Sequence, residues 1–102
     1  MAKLIALYRH PKDPAAFDAH YKSTHAPLAK TIPGLRHYDV SDGHVAGPGG
    51  DSGYRLVATL TFGSMADIEA GLASAEGQAT AADLGNFADG GVELLMFETK
   101  DI

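Results

Sequence analysis

Cysteine is absent from this 102-residue chain. Without thiols there is no disulfide, no thiolate metal site and no cysteine nucleophile, a composition that suits a reducing compartment. Positive charge is scarce as well, with 8 Lys and Arg against 13 Asp and Glu and a formal net charge of -5. Nothing resembles a basic stripe that could neutralise a phosphate backbone, which argues against a nucleic-acid partner. Long hydrophobic runs are missing too. The apolar run from Leu4 to Tyr8 is far shorter than a membrane span or a secretory leader core, and Arg9 and His10 follow it. The expectation is a cytoplasmic protein with no membrane partner. No serine sits in a nucleophile-elbow pattern, and no carboxylate pair is singled out by its spacing, so hydrolase mechanisms find no support.

What is present is a hydrophobic fraction of 45%, enough for one modest core and hence a single domain over residues 1–102. Lys3 to Tyr8 reads as a first strand. Asp13 then caps a helix whose first position is Pro14. Pro27 has no N–H for the carbonyl of Ser23, so the helix should kink or break beside His25, resume toward Ile32 and end at Pro33–Gly34. Leu35 to Val45 reads as a second strand, Gly47 to Gly53 as a flexible connector and candidate lid, and Tyr54 to Phe62 as a third strand. Ser64 with Asp67 resembles a capping box before a helix carrying Met65, Ile68 and Leu72. A further helical piece runs from Ser74 to Phe87, and Gly90–Gly91 turns the chain into a last strand, Val92 to Glu98. The order βαββαβ predicts an α+β, ferredoxin-like fold: a four-stranded antiparallel sheet with its helices on one face.

The other face of that sheet poses a question. Leu4-Ile5-Ala6-Leu7 and Leu94-Leu95-Met96-Phe97 are apolar on both sides of their strands, unlike strands with one wet face. No third helix is left to cover the second side. A second copy of the same sheet is the simplest cover, which predicts a homodimer whose sheets enclose a core or cavity.

The stretch from Tyr8 to Tyr38 contains DPAAFDAHYKSTHAPLAKTIPGLRHY and sets one histidine, His25, in an apolar helical stripe. Phe17, Tyr21, Leu28 and Ile32 recur at helical spacing, and His25 shares their face. A buried imidazole there needs a hydrogen-bond partner or a cavity open to a ligand. The pattern DP-x-x-F-x-x-H-Y-x-x-x-H-A-P-L-A-x-x-I-P-G-L, from Asp13 to Leu35, resembles the EthD family, named for ethyl tert-butyl ether degradation. Ser74, Glu76, Gly77, Gln78, Asp83, Leu84, Asn86, Phe87 and Gly91 resemble the second signature of that family. The resemblance implies a dimeric α+β barrel, a fold shared with cofactor-independent monooxygenases, isomerases and some haem-handling proteins, in a family described as oxidoreductase-like. His10 departs from the first signature, and no family role is carried onto it.

His25 and Tyr21 are the candidate catalytic residues. Imidazole can take or give a proton near neutral pH, and a phenol one turn away can orient it or bind a ligand. Tyr8, Tyr38, Tyr54 and Phe87 are candidate substrate-binding residues for a small apolar molecule. The expected function is degradation of an apolar or aromatic metabolite, without cofactor, by an oxidoreductase or isomerase in which His25 moves a proton. A non-catalytic accessory protein holding a hydrophobic intermediate is the alternative, and haem handling through His25 a third.

Other polar residues carry less. His20, five residues before His25, should be turned away from it as a surface histidine. His37 with Asp39 and Asp42 with His44 have the i, i+2 spacing of two ligands on one side of a strand, but two ligands do not hold a transition metal. Arg36 and Arg55 read as surface charges.

Overall fold

A computed structural model describes residues 1–102. Its strands are β1 (Ala2–Arg9), β2 (His37–Val40), β3 (Ala46–Gly47), β4 (Gly50–Asp51), β5 (Tyr54–Phe62) and β6 (Val92–Glu98). Four of them form one sheet in the order β2-β5-β1-β6, with every neighbouring pair antiparallel. This is the ferredoxin-like arrangement expected from the βαββαβ order. The second strand is shorter than expected. It stops at Val40, after which Ser41 donates its N–H to Val57, and the glycine-rich connector folds into the small β3–β4 ladder instead of a plain loop.

Alternation sorts the strand residues by face. Ala2, Leu4, Ala6 and Tyr8 point inward with Ala58, Leu60 and Phe62 of β5, and all seven are buried. Register places Ile5 and Leu7 on the opposite face, opposite Thr59 and Val57 and beside Leu95, with Phe97 opposite Lys3. Leu95 and Phe97 are 50% and 42% exposed, so this helix-free face is apolar and uncovered in one chain.

The helices are α1 (Pro14–His20), α2 (Ala26–Ala29), α3 (Met65–Ala73) and α4 (Ala75–Asp83). Asp13 accepts from the N–H of Ala16 and Ser64 from that of Asp67, caps of the kind that contribute about 1 kcal/mol each. Between α1 and α2 the chain widens into a π-helical turn over Tyr21–His25, in which the Ala26 N–H reaches back five residues to the Tyr21 carbonyl. Pro27 accounts for it, since it has no N–H and its ring crowds the preceding turn. The expected irregularity is thus a π-bulge, which inserts one extra residue into the turn without stopping the helix. That insertion shifts the buried stripe. Phe17, Tyr21, His25, Ala29 and Ile32 point to the sheet, and Leu28, expected on that face, is only half-buried.

Gly34, at φ 84°, turns the chain out of the helical region toward β2, in a conformation that a side chain disfavours. Gly77 lets α4 lie against the end of α3: a Cβ there would stand 2.1 Å from the carbonyl oxygen of Gly71. That approach brings the far end of α4, with Asp83, beside the π-turn, and α2 and α4 are in contact.

Candidate active site

His25 lies under the π-turn, 4% exposed, with its ring against Phe87 at 4.7 Å between centroids. Its Nδ1 is 2.9 Å from Oδ2 of Asp83, the last residue of α4. On the other side of the ring, Nε2 is 3.3 Å from the hydroxyl of Tyr8, near the end of β1. Asp83 is itself buried, and its carboxylate takes two more partners: Asn86 Nδ2 at 3.0 Å from Oδ1, and His20 Nε2 at 2.9 and 3.0 Å from its two oxygens. No buried side-chain polar atom of the chain lacks a partner.

Burial pushes the Asp83 carboxyl up, but hydrogen bonds from Asn86, His20 and His25 outweigh it and hold the group below its ordinary range. Asp83 is therefore an anion that accepts from every neighbour. It follows that His25 carries its proton on Nδ1, leaving Nε2 bare to accept the Tyr8 O–H. Desolvation lowers the His25 pKa, and Asp83 only partly offsets this, so at neutral pH the ring is an uncharged base. Tyr8, Tyr21 and Tyr38 are all shifted upward, chiefly by burial, and remain protonated phenols.

His25 and Tyr8 both line a cavity of about 70 Å³ between the helices and the sheet of the same chain. Its walls are largely apolar, with Leu4, Ala6, Leu60 and Leu72 among them, and His25, Tyr8, Tyr21 and Tyr38 also line it. The Tyr21 and Tyr38 hydroxyls are hydrogen-bonded to each other. Tyr21 also lines an outer groove of about 590 Å³, with Tyr54, Arg55 and His44, while Tyr38 also lines a hollow of about 340 Å³. The phenol pair therefore stands between the inner cavity and the outer surface.

The structure brings together four of the six residues selected from the sequence at the inner cavity: His25, Tyr21, Tyr8 and Tyr38. Phe87 backs the imidazole from outside the cavity lining. Tyr54 does not reach it; its hydroxyl donates to Glu93 at 3.1 Å and Arg9 lies over its ring. This cavity lies within one chain, between its helices and its sheet. One expectation is corrected: His20 is no surface bystander, being bonded to the carboxylate that holds His25.

The reason for that correction is the π-turn. Five residues of α-helix separate two side chains by about 140° around the axis, whereas an i→i+5 turn brings the fifth residue back nearly into line. Asp83 stood in the second signature, but nothing local linked it to His25, which lies 58 residues away in sequence. His37 and Asp39 do pair, at 3.0 Å, on the exposed surface, and Arg55 pairs with Asp18 there.

Residues 9–91 match the model of the EthD domain. The chain belongs to the EthD family. Across its whole length it is 40% identical to an uncharacterised 11.0 kDa protein from the thcB–thcC intergenic region of Rhodococcus erythropolis, covering 98% of that protein. An EthD-family protein from Bacillus halodurans, solved by crystallography, superimposes with a TM-score of 0.88 at 38% identity, covering 98% of this chain and 99% of that one. At 17% identity, where the likeness is one of fold, the hydroxynitrile lyase of Passiflora edulis superimposes with a TM-score of 0.77 over 99% of this chain and 94% of its own. As an EthD-family member the chain combines a ferredoxin-like sheet with a buried Asp–His pair, and none of its helices is long and apolar enough to cross a membrane.

Proposed function

We propose that this EthD-family chain is a cofactor-independent acid–base enzyme of small-molecule degradation, an oxidoreductase or isomerase, in which His25 moves the proton. The observation that carries this reading is the orientation of His25. Asp83 holds Nδ1 at 2.9 Å, and the unprotonated Nε2 meets the Tyr8 hydroxyl, with both residues lining an apolar cavity. Burial keeps the imidazole neutral in the resting state, and the anionic Asp83 compensates the positive charge that develops when Nε2 takes a proton.

A carbonyl compound fits the donors present. Its oxygen would take the O–H that Tyr8 lends to Nε2 across 3.3 Å, a long hydrogen bond that is easily exchanged. With Nε2 released, His25 takes a proton from the carbon next to the carbonyl, and the C–H electron pair moves into the enolate. The phenols remain protonated, and Tyr8, with the member of the Tyr21–Tyr38 pair that does not donate to the other, stabilises the enolate oxygen by donating to it. Reprotonation at another carbon completes an isomerisation; transfer of electrons from the enolate to dioxygen begins an oxygenation. Tyr21 and Tyr38 part to admit the substrate.

Drug-sized sites occupy roughly 300–1,000 Å³. A cavity of about 70 Å³ accepts only a compact reacting group, and a porphyrin does not fit. The same small volume, with every buried polar group satisfied internally, favours as a second reading a binding protein for a small apolar intermediate. The uncovered face bearing Ile5, Leu95 and Phe97 supports a homodimer, which sedimentation at micromolar concentration tests: a monomeric mass would refute it.

The chemical reading is tested with acetone in D2O, following methyl-proton exchange by NMR. The protein should accelerate exchange, and His25→Gln should slow the catalysed part by a factor of about 100 or more. Equal exchange with both proteins would sink the proton-transfer role, and undiminished acetone binding would then leave the binding-protein reading.

A further inference from the structure

His20 is the member of the buried constellation that also meets the surface. Its side chain is 27% exposed, whereas those of Asp83 and His25 are 6% and 5%. It stacks on Phe87 at 5.0 Å with the planes 20° apart, and that aromatic contact aims Nε2 at both oxygens of Asp83. Outward, it borders a hollow of about 360 Å³ that Lys12, Asp13, Asn86 and Asp89 also line. Asp83 is thus shared by two imidazoles, one facing solvent and one facing the cavity.

We infer that His20 is a positioning residue that acts on His25 through Asp83, orienting the shared carboxylate and setting how strongly it supports charge on His25. Four distances place the chain of groups: His20 to Asp83 at 2.9 and 3.0 Å, Asp83 to His25 at 2.9 Å, and His25 to Tyr8 at 3.3 Å. While His20 is neutral, it lends one N–H and leaves the full negative charge of Asp83 to stabilise an imidazolium at His25. When His20 takes a proton from solvent on Nδ1, the carboxylate is paired with a cation, and charging His25 becomes harder. Such coupling of neighbouring sites makes the two rings titrate as a unit. A positive His20 indeed acts to lower the His25 pKa.

The groups facing this pair limit what else could produce the coupling. Around His20 they are Asp83 and Asn86, with Lys12, Asp13 and Asp89 across the hollow. Around His25 they are Asp83 and the phenols of Tyr8 and Tyr21, which stay uncharged. Of these polar groups Asp83 alone touches both rings, and Phe87, which packs on both, carries no charge.

This inference rests on the reading of His25 as the proton-transfer group, but its test needs no substrate. Long-range 1H–15N spectra report the charge and tautomer of each histidine ring in the intact protein as pH is varied. His25 should hold its proton on Nδ1 in the neutral form, and its signals should show a second inflection at the midpoint of His20. In His20→Gln, which keeps an amide donor but cannot charge, that inflection should vanish and the His25 midpoint should move upward. In Asp83→Asn, adding His20→Gln should no longer move His25. A His25 curve that ignores the His20 midpoint in the native protein overturns the inference, whether or not the variants fold. An unmoved His25 midpoint in a folded His20→Gln also overturns it, leaving His20 as packing for Phe87. Should acetone exchange fail while the coupled titration is present, the catalytic reading falls and the coupling stands.

Discussion

Two places in this chain set an aspartate between two histidines, and they have little else in common. Asp83 is buried and meets His25 and His20, each with a distance of 2.9 Å. Asp51, half-exposed, stands 3.4 Å from His10 and 3.6 Å from His44. The same three residue types make a directed base in one place and a loose surface cluster in the other. Water is the difference. At Asp51 solvent screens the charges and competes for every hydrogen bond, so such contacts add little. At Asp83 the carboxylate gives up solvent and depends on Asn86, His20 and His25 for its partners, which fixes ring orientation and tautomer together.

Substitutions can break that contrast. Asp83→Ala should have the largest effect, a loss of about 3 kcal/mol, because removing one side of a buried charged network strands the donors of the other. In a domain of this size the melting temperature should drop by roughly 10 °C or more. Calorimetry checks this, and a loss no greater than for Asp51→Ala would erase the distinction between the two clusters.

Acidification sharpens it next. His25 is kept neutral by burial, so below its ordinary value of 6.5 the unfolded chain binds a proton that the folded chain refuses. Stability contributed by neutral His25 is complete above pH 6.5 and declines as pH falls toward the lower folded midpoint. Asp83, depressed below its ordinary 3.8, adds a second loss only in stronger acid, as pH falls through its folded midpoint. Melting temperature should therefore fall as pH drops below 6.5, and His25→Gln should flatten that part of the curve. An unchanged slope in the variant would mean that another group is responsible.

Tyr38→Phe is a milder test, taking one hydroxyl from the phenol pair and leaving Tyr21 without that partner. The expected loss is about 1 kcal/mol, read by urea unfolding, with faster entry of acetone into the cavity. A more stable variant would show that the pair is strained rather than supportive. Smallest of all should be Asp51→Ala, whose melting temperature should match the parent within replicate scatter.

Much of the fold was legible in the sequence, and particular residues show why. The alternation of Tyr54 to Phe62, the Ser64–Asp67 cap and the double glycine before Val92 are local signals, and the corresponding elements lie where they predict. The second strand was overread: Ser41, Asp42 and Gly43 after Val40 are turn formers, and pairing with β5 stops at Val40. The replacement of Leu28 by Ala29 on the buried face follows from a single extra residue in the π-turn, which a fixed helical period cannot represent. At the site, His25, Tyr21, Tyr8 and Tyr38 were visible as titratable or amphipathic groups on inward-facing positions. Asp83 and the role of His20 were not, since both depend on where the end of α4 docks.

By itself the sequence determined the order of elements, the apolar second face of the sheet and the presence of an imidazole in the core. These follow from periodicity, capping and composition, which act over a few residues. Only the tertiary structure decided that Asp83 meets His25, that His20 joins them and that Nε2 turns to Tyr8 beside a cavity inside one chain. Those facts depend on the close α3–α4 contact allowed at Gly77 and on the π-turn before Pro27, two local devices whose effects appear only when distant segments pack.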